Sequence, residues 1–121
     1  MGVDLSLIVY VEQDKVGIAP FGSKFANLFA LRELLRHIPE RAFQSTPETF
    51  FIKREDHKPP VVVNNIDMYG CELRSLKLRS LVKYLWRNVK QLERAEIYLV
   101  CSLLRIEERW PGKYRVAFFY W

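Results

Sequence analysis

Val3, Leu5, Leu7, Val9 and Val11 alternate with Asp4, Ser6, Ile8, Tyr10 and Glu12. A period of two is that of a strand with one strongly apolar face. Asp14 to Gly17 offers a turn, and Val16 to Ala19 a short second strand that Pro20 ends. From Ser23, read as an N-cap, the spacing predicts a helix running to about Ile38. Leu28, Leu31, Leu34, Leu35 and Ile38 share one side of it, with Arg32, Glu33 and Arg36 on the other and Pro39 as its stop.

The stretch from Glu40 to Pro60 is less regular. Thr46-Pro47-Glu48 reads as a single helical turn, and Phe50-Phe51-Ile52 as a strand that pairs with Val61-Val62-Val63 in a hairpin. Glu55 to Pro60, charged and then doubly proline-stopped, reads as an exposed loop. After the Tyr69-Gly70 break, Ser75 is the expected cap of a helix to about Val89. On that helix Leu78, Leu81, Val82, Leu85, Trp86 and Val89 span an arc of about 140° at 100° per residue. Gln91 to Ile106 predicts a third helix, apolar around most of its circumference, with Arg94, Tyr98, Cys101 and Arg105 as a narrow polar stripe. Trp110-Pro111-Gly112-Lys113 turns the chain into a final strand from Tyr114 to Trp121. Its unbroken apolar run from Val116 places it centrally, with both faces covered. The expected fold is α+β: one domain, a small sheet including both terminal strands, and three main helices.

Charge adds a feature that the pattern alone does not show. The chain has 19 Lys and Arg against 14 Asp and Glu, a net of +5. Six of those cations (Arg74, Lys77, Arg79, Lys83, Arg87 and Lys90) lie between Leu73 and Leu92 with no acid among them, which leaves 13 against 14 elsewhere. Arg79, Lys83, Arg87 and Lys90 fall within an arc of about 80°, almost opposite the apolar one. Like charges at this spacing repel by a few tenths of a kcal/mol per pair, and a negative partner would relieve them. The competing explanation is a solvated face that Glu72, Glu93 and Glu96 fold over. Tyr84 is the aromatic expected at the edge of the cationic stripe, and Trp86 is assigned to the apolar arc.

Signatures of chemistry are sparse. His37, His57, Cys71 and Cys101 have no metal-ligand spacing, so no metal site is expected, and His37 suits the end of the first helix. A Cys-His pair from Cys71 or Cys101 with His57 lacks an activated-thiol setting. Asp56 and Lys58, with Asp4 as a further carboxylate, are the residues that a metal-dependent nuclease reading would use. No glycine pattern cradles phosphate, and no cofactor is expected. No apolar run reaches 18 residues, no signal peptide opens the chain, and two cysteines fit a reducing compartment. A cytoplasmic protein with no membrane segment is the expectation. Gly2 with Ser6 formally fits myristoylation, but Val3 to Val11 reads better as a buried strand.

The opening Met1-Gly2-Val3-Asp4-Leu5-Ser6-Leu7, the turn Asp67-Met68-Tyr69-Gly70 and the ending Val116-Ala117-Phe118-Phe119-Tyr120-Trp121 resemble a loose group of small phage and prophage proteins. That resemblance implies a phage-encoded, non-enzymatic accessory factor acting on host machinery, host-defence nucleases included. It carries over no catalytic residues. The function expected is therefore binding, through Arg79, Lys83, Tyr84, Arg87 and Lys90, to an acidic protein surface. Direct nucleic-acid binding through the same helix is the alternative. Edge strands and Trp121 would also suit a homodimer.

Overall fold

The computed structural model describes residues 4–54 and 58–120. The first strand, β1 (Leu5–Gln13), turns back into β2 (Val16–Ala19). Asp14 and Lys15 both have positive φ, as the two-residue turn matching the twist of a hairpin requires. Then come β3 (Ser23–Phe25), α1 (Phe29–Arg36), a single 3-10 turn at Glu40–Ala42, β4 (Gln44–Ser45), β5 (Thr49–Ile52) and β6 (Val61–Asn64). The chain continues through β7 (Arg74–Lys77), α2 (Leu78–Arg87), a 3-10 turn at Val89–Gln91, α3 (Arg94–Arg109) and β8 (Arg115–Tyr120).

One mixed sheet runs in the order β4-β7-β8-β1-β2-β5-β6, with β3 also paired to β1. The terminal strands are neighbours, antiparallel from Leu5 opposite Tyr120 to Tyr10 opposite Arg115. β2 and β5 form the parallel pair, and β5 and β6 make the expected hairpin. This is the α+β domain that the pattern predicts, with β8 central between β7 and β1.

Alternation along β1 divides the interior in two. Leu5, Leu7 and Val9 join Leu31 of α1, Leu78, Leu81 and Leu85 of α2, and Val100 and Leu103 of α3 in the main core. Ile8 and Tyr10 point the other way and pack with Ala19, Phe50, Ile52, Leu73 and Ala117. Here the rings of Tyr10 and Phe50 meet edge to face at 5.0 Å. Gly17, opposite Phe50 in the parallel register, leaves room for that ring, which any β-carbon there would strike.

Three sequence expectations fail, each because tertiary pairing overrides a local signal. Ser23 caps no helix: it begins β3, which pairs along Ser6–Ile8 of β1. Asn27 extends that attachment, its Oδ1 accepting from Leu5 N at 2.5 Å and its Nδ2 donating to Asp4 Oδ1 at 2.8 Å. Ser75 is likewise a strand residue, fully buried in β7 opposite Ala117, and its Oγ accepts from Arg115 Nε at 3.1 Å. The helical turn expected at Thr46-Pro47-Glu48 forms instead at Glu40–Ala42, while Thr46 donates its hydroxyl proton to the Leu73 carbonyl.

Neither α1 nor α2 carries a side-chain cap of its own. The amide of Leu78, which opens α2, donates to the Tyr114 carbonyl at 3.1 Å. For α1 the acceptor is Glu96 of α3, only 1% exposed, whose Oε2 lies 2.6 Å from Leu31 N. Its Oε1 accepts from Glu93 N at 2.8 Å, completing a capping box at the start of α3. One buried carboxylate thus lies between two helix N-termini, whose dipoles and donors offset its desolvation. Replacing it with alanine orphans two amides, so Glu96→Ala is expected to lose about 3 kcal/mol and Glu96→Gln less. Urea unfolding midpoints measure this; an alanine loss below about 0.5 kcal/mol would show that the carboxylate does not hold these helices.

Candidate functional site

α2 lies between two ties. Tyr84 Oη donates to the Leu34 carbonyl of α1 at 2.5 Å, and Arg79 Nε donates to Glu107 Oε1 of α3 at 2.7 Å. That same Glu107 oxygen accepts from Gly112 N at 3.1 Å, so it also fixes the turn leading into β8. Leu78, Leu81, Val82 and Leu85 are buried as the apolar arc requires.

The outer face differs from the expected stripe in four ways. Arg79 is not free, because its guanidinium is committed to a nearly buried carboxylate. Tyr84 does not border the cations, because it turns inward to α1. Trp86, assigned by its angle to the apolar arc, is instead 51% exposed. Lys90 has left the helix for the 3-10 turn that follows, where it is exposed. Lys83 and Arg87 remain on the helix, one turn apart, both exposed and with no carboxylate within ion-pair distance among the described residues.

The acids nearest in sequence do not cover this face. Glu96 is buried between helix starts, Glu93 caps α3, and Glu72 is exposed beside the Ile66 bridge. The counter-ions come from further away and reach other cations. Glu107 takes Arg79, and Glu40 takes Arg74, which also lies over the Phe43 ring at 5.1 Å.

Trp86 lines a shallow groove of about 310 Å³ with Val82, Lys83, Arg87 and Leu104. The first four come from α2, and Leu104 reaches across from α3. Sequence reasoning did not pair Trp86 with Leu104, although one signal was present. Trp86 sits at the end of the apolar arc, about 20° from the angle of Arg79. No such signal marks Glu107, 28 positions from its partner Arg79.

Elsewhere the candidate chemistry is dispersed. Glu55, Asp56 and His57 lie outside the described residues, while the carboxylate of Asp4 is hydrogen-bonded to Asn27. His37 caps the C-terminal end of α1, as its position implies. Cys71 and Cys101 are free thiols, and no three His, Cys, Asp or Glu side chains among the described residues come together as a metal site. A second hollow, about 350 Å³, lies between the end of α1 and the Asp67 loop and is lined by Phe118, Tyr69, Tyr120 and the Arg74–Glu40 pair. Asp67 shapes that loop by accepting from the amides of Tyr69 and Cys71, with Gly70 at φ +76°. Among the described residues no helix is long and apolar enough to cross a membrane.

No protein-family model, curated protein or solved structure matches this chain.

Burial pushes the Tyr84 phenol above its ordinary pKa. The unfolded chain therefore releases this proton first. Stability linked to Tyr84 is whole below about pH 10 and declines as pH rises through the folded group's higher pKa. Tyr84→Phe is expected to lower stability at neutral pH by about 1 kcal/mol through the lost hydrogen bond, and to flatten the alkaline decline. Thermal melts from pH 7 to 11 check both; an unchanged alkaline slope would contradict the inward placement.

Proposed function

We propose that this protein is a non-catalytic binding protein, a phage-encoded accessory factor that docks on an acidic surface of a host protein, of the defence-nuclease kind, through the outer face of α2. Lys83 and Arg87 carry the charge, Lys90 extends it and Trp86 supplies the apolar anchor. Arg79 and Tyr84 serve the same face indirectly, by fixing the helix to α3 and α1.

The observation that carries this reading is the exposed Trp86 beside two cations, Lys83 and Arg87, that no carboxylate among the described residues neutralises. An exposed tryptophan retains apolar surface in water, and interface anchors are enriched in tryptophan and arginine. A solvated helix face gains nothing from that combination. Arg87 in the last turn is favoured by the helix dipole, but Lys83, a turn earlier, is not. Unscreened cations would speed encounter with an acidic partner, and the tryptophan would slow its release.

A second reading, direct nucleic-acid binding, is favoured by the same tryptophan, since an exposed ring beside cations can stack on a base. The two differ in their response to salt. Phosphate contacts release counterions, so affinity for random single strand would fall steeply between 50 and 200 mM salt.

Double charge reversal, Lys83→Glu with Arg87→Glu, is expected to abolish retention of the host partner in affinity capture while leaving Tm within about 2 °C. Arg79→Glu is expected to do the reverse in stability, lowering Tm by several degrees because it leaves Glu107 buried beside a like charge. Undiminished capture by the double variant would overturn the reading.

A further inference from the structure

The groove selects its occupant more narrowly than its charge does. Its floor is Val82 and Leu104, its side is the Trp86 ring, and Lys83 and Arg87 stand one helical turn apart at its rim. At about 310 Å³ it is at the lower end of the roughly 300–1,000 Å³ typical of ligand sites, space for a side chain or two.

A nucleic-acid strand fits this arrangement poorly. Its backbone presents charge continuously, whereas the cationic row is interrupted on one side where Glu107 takes Arg79. The groove's floor residues, Val82 and Leu104, offer a base no hydrogen bond. A bulky apolar side chain matches the floor, and carboxylates within a few ångströms of it match the rim.

We infer that the groove between α2 and α3 binds an acidic peptide segment in which a large apolar side chain is flanked by carboxylates. The apolar side chain lies against Trp86, Val82 and Leu104, and the carboxylates pair with Lys83 and Arg87. This deepens the docking reading and rests on it: the partner is recognised by a short acidic-apolar motif and not by diffuse negative charge.

The test uses the full chain and three fluorescein-labelled probes at 50 mM salt, followed by anisotropy. One is a blocked hexapeptide with leucine and phenylalanine between two pairs of glutamates, the second a blocked hexaglutamate, and the third an oligothymidylate. The mixed peptide is expected to bind at least tenfold more tightly than hexaglutamate, a margin of about 1.4 kcal/mol. Trp86→Ala should remove that margin, and Lys83→Glu with Arg87→Glu should abolish binding of both peptides. Equal affinity for the two peptides, insensitive to Trp86→Ala, overturns the motif inference and leaves charge-directed docking in place. Tighter binding of oligothymidylate than of either peptide overturns both and assigns the face to nucleic acid. Failure of all three probes overturns the inference, while the docking reading is judged separately by whether the double variant retains the host partner.

Discussion

A single buried carboxylate organises the helical layer. Glu96 accepts the third amide of α1 and the amide preceding α3, so two helices distant in sequence begin at the same group. A buried charge is costly unless its lone pairs are satisfied, and here the donors are backbone amides at the positive ends of two dipoles. Side-chain packing alone would tolerate some sliding between α1 and α3, but a two-ended hydrogen bond fixes their relative position. α2 is then held in place, by Tyr84 to the last turn of α1 and by Arg79 to the last turn of α3.

These ties also explain the outer surface. Of the four helix-face cations expected from sequence, Arg79 is consumed by the scaffold, and Glu107, which consumes it, simultaneously fixes the turn at Gly112. Glu96 and Glu93 are likewise spent on helix starts. Glu93 and Glu96, the acids nearest in sequence, therefore do not reach Lys83 and Arg87, and among the described residues no carboxylate pairs with either cation beside the exposed Trp86.

Strands with a strong pattern were legible in the sequence. The alternation of β1 and the unbroken apolar run of β8 predict their pairing and central place, because period and burial are local properties. The hairpin of β5 and β6 and the apolar arc of α2 were legible for the same reason. The helix starts were not, since Ser23 and Ser75 look like caps, whereas the actual acceptors, Glu96 and the Tyr114 carbonyl, come from distant parts of the chain. Of the site, Lys83 and Arg87 were legible as a charged stripe. Trp86 was misassigned because its angle lies at the edge of the arc, where only the neighbouring helix decides between core and surface. The pairing of Arg79, which stays on the exposed face, and the inward hydrogen bond of Tyr84 were not legible, because their partners, Glu107 and Leu34, are contacts made by folding alone.

Folding leaves Trp86 open to water beside two cations that no carboxylate among the described residues neutralises. Hydroxyl-radical footprinting of the free protein, read residue by residue with mass spectrometry, tests this most directly. Trp86 should be oxidised several times faster than Trp110, whose ring is packed against Phe21 and Tyr114. Protection of Trp86 to the level of Trp110 would mean that the protein covers this face itself, and the docking surface described here would not exist.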